Sequence, residues 1–159
     1  MKLTDNLSIS GHLTATLHHR GGKVVDTRHV SNSITLAGRD LVMRLYNGDP
    51  NLKDTVKRVT QIRLGTGKTA FAANQTALVK QLKEVIPIEI YESSTIDAQS
   101  KTPRKQLRLT ATLNENQCND TLQEAGLFTN DNVMYNRVVF APINKSDQFK
   151  LTLVWEIIF

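Results

Sequence analysis

The sequence predicts a mainly β protein: an antiparallel β-sandwich or Greek-key roll with one or two short helices. Two observations favour this fold class. Apolar residues recur at every second position in several short segments, which is typical of strands with one buried face. Clusters rich in Gly, Asn, Asp and Pro separate these segments, as turns between strands do.

The length and composition predict one folded domain. The chain has 159 residues, of which 40% are hydrophobic, so we expect a single β-rich domain over residues 1–159. Its apolar runs are too short to cross a bilayer, and its first residues lack the apolar stretch of a signal peptide. Its one cysteine, Cys118, excludes an internal disulfide framework. We therefore expect synthesis in the cytosol and no membrane contact.

The segment from Phe149 to Phe159 has the clearest strand pattern. Aromatic and aliphatic residues occupy its odd positions, and Lys150, Thr152 and Glu156 lie between them. This alternation predicts a central strand of the core. Two further strands are predicted upstream, and the three together are expected to form an antiparallel meander; the strands are Thr121–Phe128 and Val133–Phe140, and the last turn is Pro142–Asp147.

The first thirty residues predict a hairpin. Apolar residues alternate between Leu7 and Leu17, and Gly21-Gly22 suits a tight turn before the return segment Val24–Ser31. A two-residue loop would place charged residues of the return segment opposite apolar ones, which predicts a bulge or an edge position. The pairs concerned are Asp26 with Leu17 and Arg28 with Ala15. The hairpin over residues 1–30 is a candidate assembly arm.

The middle of the chain predicts one helix and several strands. Leu36–Tyr46 has helical spacing, with Leu36, Leu41, Val42 and Leu45 on one face. Ser33 or Thr35 would cap its start and Gly48 would follow its end. The predicted strands are Val59–Leu64, Ile88–Tyr91 and Lys105–Leu113; Thr76–Glu84 fits a helix or an irregular strand, and Glu92–Pro103 is predicted to be an exposed loop.

One segment resembles a phosphate-binding loop. Gly67-Lys68-Thr69 matches the end of that motif, whose backbone N–H groups and lysine cradle phosphates. The first glycine of the motif would fall at position 62, which is Ile62, and no strand–helix–strand context surrounds it. We therefore interpret Gly65-Thr66-Gly67 as a tight turn leaving a strand.

The remaining reactive residues form no predicted catalytic or metal constellation. The four histidines, His12, His18, His19 and His29, share no ligand set with an acid, although a cross-strand approach of His29 to His12 or Thr14 is possible. Cys118 lies in an Asn-rich turn without a partner base. Glu124 and Glu156 are acids within apolar strands, and either could be a buried, paired carboxylate. We expect no enzyme, cofactor or metal site.

The densest basic cluster is formed by Lys101, Arg104, Lys105 and Arg108. It has two interpretations: a solvated loop and strand edge, where lysines suppress unwanted pairing, or a charged contact with a partner. The net charge of +5 permits binding to nucleic acid without requiring it, and nucleic acid is not the expected partner.

The order of segments over residues 30–159 resembles a known group of proteins. The segments are Asn32–Thr35, the helix, Ile62–Gly67, Thr76–Leu78, Glu124–Phe128, Met134–Lys145 and Leu151–Phe159. This series resembles small structural proteins of tailed bacteriophages, described as tail, tail-fibre or virion proteins. The resemblance implies a β-rich assembly subunit and transfers no catalytic residue.

We therefore expect a non-enzymatic structural subunit of a tailed-phage virion, in the tail, baseplate or neck. A head-decoration protein is the nearest alternative, and a receptor- or glycan-binding module that uses Tyr46, Phe71 and Tyr91 is another. The expected partners are other virion proteins and further copies of the chain, in a trimer or hexamer. The expected location is the virion, after assembly in the cytoplasm of a host bacterium.

Overall fold

The computed structural model of the chain describes residues 9–48, 50, 58–99, 101 and 103–159. Two five-stranded antiparallel sheets and one helix make up this part of the chain. The predicted class, mainly β with a sandwich architecture and a short helix, is confirmed. Within the described residues, no helix has the length and apolar character needed to cross a bilayer.

The chain passes back and forth between the two sheets, placing one to three consecutive strands in a sheet before each crossing. Sheet 1 has the strand order β2-β1-β10-β7-β6, and sheet 2 has the order β3-β9-β8-β4-β5. In chain order, the elements are β1 (Ser10–His19), β2 (Val24–Ser31), β3 (Ser33–Ile34), α1 (Leu36–Tyr46), β4 (Val59–Gly65), β5 (Gln81–Pro87), β6 (Glu89–Ile96), β7 (Pro103–Leu113), β8 (Thr121–Thr129), β9 (Met134–Asn144) and β10 (Phe149–Ile158).

Strand β10 is the centre of sheet 1, as its alternation predicts. It pairs with β1 along one side and with β7 along the other, and its odd-numbered residues from Leu151 to Ile157 are buried against sheet 2. The predicted meander of the last three strands is wrong, because β8 and β9 pair in sheet 2 while β10 lies in sheet 1. The predicted turn from Pro142 is also too early, since β9 continues to Asn144.

The N-terminal hairpin has the predicted register. Asp26 lies opposite Leu17 and Arg28 opposite Ala15, and the pairing shifts between Leu17 and His18. Strand β2 is an edge of sheet 1, so the predicted bulge and edge position are both confirmed. Because β1 pairs with β10 from end to end, the described part of the hairpin belongs to sheet 1. Residues 1–8 of the predicted hairpin lie outside the described residues.

Helix α1 has the predicted bounds and is capped by Thr35. The Thr35 hydroxyl accepts a hydrogen bond from the Gly38 N–H at 3.0 Å and donates one to the Met134 carbonyl at 2.6 Å. A side chain at Gly38 would collide with the backbone of Tyr135, so glycine lets the helix pack against β9. Of the predicted apolar face, Leu41 is buried and Val42 half-buried, whereas Leu36 and Leu45 are exposed.

The predicted exposed loop over Glu92–Pro103 is wrong in its first part, because strand β6 continues to Ile96. Residues 97–99 and 101 belong to the connection between β6 and β7, and β7 begins at Pro103. Polar residues dominate β6 because it is an edge strand whose side chains lie mostly outside the core. Alternation of apolar and polar residues cannot reveal such a strand.

The ambiguous segment Thr76–Glu84 belongs to neither predicted form as a whole. Its first part ends a loop over residues 66–80, and strand β5 begins at Gln81. Leu78 from this loop packs with Phe128 and Met134 in a small cluster separate from the main core. Sheet 2 therefore carries covering residues on both faces, which explains why nearly every residue of β8 is buried.

Candidate functional site

A buried ion pair joins β8 to β9 beneath the loop over residues 66–80. Glu124 and Arg137 have fully buried side chains, and Arg137 Nη2 lies 2.8 Å from Glu124 Oε2. Glu124 also accepts hydrogen bonds from the backbone N–H groups of Gly67 at 3.2 Å, Val79 at 3.0 Å and Lys80 at 2.7 Å. The carboxylate thus fixes both ends of the loop to sheet 2.

Arg137 holds the middle of the same loop. Its Nη1 donates to Gln75 Oε1 at 3.1 Å and its Nη2 donates to the Thr69 carbonyl at 2.9 Å. Its Nε donates to Glu124 at 2.9 Å. Because each charged group is bonded to several partners within the protein, the arrangement acts as a structural clamp.

The clamp formed by Glu124 and Arg137 also accounts for the glycine at position 67 in the segment that resembles a phosphate-binding loop. The Gly67 N–H, which would face a phosphate in that motif, donates to the Glu124 carboxylate. A side chain at Gly67 would collide with the same carboxylate, while Lys68 is exposed. A bound phosphate would therefore face a buried negative charge at this position. Gly65 ends strand β4 as interpreted, but Thr66 and Gly67 begin the long loop over residues 66–80, so the predicted tight turn is wrong.

The second acid singled out by the sequence, Glu156, lies on the outer face of sheet 1. His12 Nε2 lies 2.7 Å from its Oε2, Gln106 Nε2 donates to its Oε1 at 2.9 Å, and Arg108 Nε is 4.0 Å away. Its side chain is 23% exposed, so Glu156 is paired but only partly buried, whereas Glu124 is both paired and buried.

The histidines are dispersed over sheet 1. The expected approach of His29 to Thr14 is present, with Thr14 Oγ1 3.0 Å from His29 Nδ1. In the described ranges, no three His, Cys, Asp or Glu side chains come together in a way that could hold a metal ion.

Cys118 is a buried thiol at the edge of the core. Its side chain is 1% exposed, and its backbone N–H donates to Glu84 Oε1 at 3.2 Å. Burial, with a smaller contribution from the Glu84 charge, raises the pKa of Cys118 to about 11, although Lys145 opposes the shift. A thiol in this environment stays protonated and is a poor nucleophile at neutral pH.

We expect Cys118 to resist a thiol reagent at pH 8 in the folded protein and to react fully in denaturant. Because its pKa is higher in the folded protein than its ordinary value of 9.0, the folded state holds this proton more tightly. The resulting stabilisation is complete below pH 9 and is lost as the pH rises toward 11. Absorbance of the released thiolate reagent measures the reaction, and rapid labelling of the native protein would contradict the assignment.

The four predicted contact residues do not form one patch. Arg104 and Arg108 occupy alternate positions of β7 with Gln106, on the outer side of the sheet. Lys105 has the opposite orientation, and its Nζ donates to Ser94 Oγ on β6 at 3.1 Å. Lys101 is exposed in the turn between β6 and β7. Of the four, only Lys105 lines a groove beside the apolar side chains.

An apolar groove of about 600 Å³ lies between α1 and the end of sheet 1. The inner face of this sheet extends beyond the cover of sheet 2, so Ile90 and Phe159 are about 40% exposed. Tyr46, on the other wall, is 85% exposed. Contiguous exposed apolar side chains are typical of an interaction surface. The groove is lined by Leu41, Val42, Leu45, Tyr46, Arg58, Val59, Ile90, Glu92, Leu107, Leu109, Tyr135, Ile157 and Phe159.

Strand β6 forms the open edge beside this groove. It pairs with β7 without a register shift, and seven of its eight residues are exposed. The other described edges are less open. Strand β2 carries a bulge and the Asp26–Arg28 ion pair, β3 has two residues, and β5 has a shifted register and ends at Pro87.

Sequence reasoning missed the groove, and it expected partner contacts at an open sheet edge without identifying β6 as that edge. The only signal of the groove in the sequence was that helix α1 has more apolar residues than one buried stripe can hold. The residues left exposed are Leu36, Met43, Leu45 and Tyr46.

Comparisons with known proteins identify no relative: no family model, curated protein or solved structure matches the chain significantly.

Proposed function

We propose that the protein is a non-enzymatic structural subunit of a tailed-phage virion, placed in the tail, baseplate or neck. The observation that carries the proposal is the open edge of β6 beside an apolar groove. An edge strand offers unpaired backbone groups, and an apolar groove offers area from which water can be expelled. Together they suit a permanent contact with other proteins. The resemblance of residues 30–159 to phage structural proteins supplies the biological setting.

The buried clamp supports an assembly role in a different way. Glu124 and Arg137, the most convergent charged groups of the described chain, are bonded to the protein itself. They hold the loop over residues 66–80 on sheet 2 and leave no free acid or base at that place. A domain whose buried charged groups reinforce its fold, and which carries an exposed apolar groove, suits a structural subunit.

Head decoration is the alternative within the same class, because it also needs a β domain that contacts repeated neighbours. A receptor- or glycan-binding module is less well supported by the surface. Two of its proposed aromatics face different places: Tyr46 lines the apolar groove, and Tyr91 lies beside Arg108 on the other side of sheet 1. They offer no shared platform for a sugar ring.

Counting the protein in purified particles of the source phage tests the proposal. Quantitative mass spectrometry should give about three, six or twelve copies per virion, as closed rotational symmetry in a tail, baseplate or neck requires. On the order of hundreds of copies would indicate head decoration, since only the shell offers so many equivalent sites. Absence of the protein from particles would refute the structural role.

A further inference from the structure

We propose that β6 pairs with β6 of a second copy of this chain, antiparallel and about a two-fold axis at Ser93. The inference rests on the proposed assembly role and names the partner and the contact. Sheet 1 would continue across the axis into the second copy, making a ten-stranded sheet from two five-stranded ones.

Antiparallel geometry restricts the register. Two residues that face each other across such a pair direct their backbone groups either both toward the partner strand or both away from it, and this orientation alternates along a strand. In a pair of identical strands, the two-fold axis must therefore pass at a residue and not between two residues. An axis at Glu92 would place this carboxylate opposite its own copy, and an axis at Ser94 would place Glu92 opposite Ile96. An axis at Ser93 instead places Ile90 opposite Ile96 of the second copy and Glu92 opposite its Ser94.

This register brings together the exposed apolar residues of the strand. Ile90 is 41% exposed and Ile96 is 67% exposed in the single chain. The side chains of both lie on the same side of β6 as those of Glu92 and Ser94. This side faces the apolar groove and the neighbouring groove that Lys105 lines. Pairing about Ser93 would cover each of these isoleucines, because the Ile90–Ile96 pair occurs twice, once in each half of the contact.

Charge complementarity favours a second copy over an unrelated strand. On its own subunit, Glu92 lies opposite Leu107, and an inward-facing acid discourages pairing with an apolar or acidic strand. Ser94, however, is bonded to Lys105 on its β7 side. In the proposed pair, Glu92 of the second copy occupies the other side of Ser94, within reach of the Lys105 ammonium. The symmetry repeats this ion pair.

The contact would also join the apolar surfaces beside the strand. An eight-residue strand pair alone is smaller than a stable interface, which buries about 800 Å² on each partner. In a sheet that continues across the two-fold axis, the inner faces of both copies lie on the same side. The groove walls at Phe159, Leu107 and α1 would then flank the axis from both copies.

Cross-linking tests the register. Ser93→Cys in the full-length protein should form a symmetric dimer with a short bis-maleimide, because directly opposed residues lie about 5 Å apart between Cβ atoms. Thr27→Cys, on the exposed edge strand β2, is the matched control and should not become cross-linked in the same assay. The native Cys118 is buried and does not compete under folding conditions. Thermal melts of both variants establish that they are folded.

Exchanging the charges of Glu92 and Lys105 tests whether the partner is a second copy of the chain. Glu92→Lys or Lys105→Glu alone should raise the dimer Kd about tenfold, measured by sedimentation equilibrium, because each places like charges together at two symmetric positions. The double variant should restore a Kd close to the original. Both residues are exposed, so the single variants should unfold at the temperature of the unmodified protein.

The outcomes separate this inference from the proposed function. The pairing of β6 would be refuted by a chain that stays monomeric at high concentration. It would also be refuted by an oligomer in which the Ser93→Cys variant cross-links no better than the Thr27→Cys variant and the charge exchange restores nothing. Cross-linking of the Ser93→Cys variant only to a different virion protein would refute it too, since the edge would then have another occupant. The copy number in particles tests the structural role by itself, and the pairing of β6 is compatible with six or twelve copies but not with three.

Discussion

Replacing Arg137 with Met should lower the free energy of unfolding by about 3–5 kcal/mol. The methionine keeps much of the aliphatic stem but removes the charge that balances Glu124, whose side chain is fully buried. The carboxylate would retain its three backbone donors at Gly67, Val79 and Lys80, yet remain in the core without a counter-ion. Chemical denaturation followed by circular dichroism measures the loss.

Glu156→Gln is the matched control for this prediction. Glu156 is also paired within a strand, but its side chain is 23% exposed and water can replace its partners. Its substitution should cost about 1 kcal/mol or less. If Arg137→Met unfolds at the same denaturant concentration as Glu156→Gln, the buried pair does not stabilise the fold as the geometry implies.

Trp155→Ala should lower the free energy of unfolding by about 3–5 kcal/mol. Trp155 is fully buried at the centre of sheet 1, opposite Leu13 on β1 and Leu109 on β7. Removing the indole leaves a cavity where the two long strand pairs meet, and a sheet buried between neighbours closes such a cavity poorly. Circular dichroism must follow the transition, since the substitution removes the single tryptophan.

Trp155→Phe separates the contribution of volume from that of the polar atom. The indole Nε1 is buried without a hydrogen-bond partner within the protein, which is a cost that Phe does not carry. We therefore expect Trp155→Phe to lose clearly less stability than Trp155→Ala. Equal losses for the two variants would show that filling the space near Leu13 and Leu109 contributes little.

Local patterns in the sequence predict the elements of this fold well. Alternation identifies β10, β1 and β7, and helical spacing gives α1 its bounds, because each has one face toward the core. Local patterns do not determine which strands pair. Strand β10 follows β9 in the chain but lies in the other sheet, and only the packing of the two sheets decides this.

The site was harder to predict from the sequence. An acid in an apolar strand, Glu124, correctly indicated a buried pair, but its partner Arg137 is 13 positions away on the next strand and carries no signal of its own. The basic residues look like one cluster in the sequence, yet alternation along β7 directs Lys105 and Arg108 to opposite faces. The apolar groove forms only when α1, β6 and β10 are assembled.

The central position of β10 has a consequence for synthesis of the protein. His12 and Glu156, which meet across β1 and β10, are 144 positions apart. The hairpins β1–β2 and β6–β7 share no neighbour until β10 leaves the ribosome and pairs between them. A nascent chain therefore cannot complete sheet 1, and truncated products from interrupted translation should keep the inner faces of both hairpins uncovered by β10.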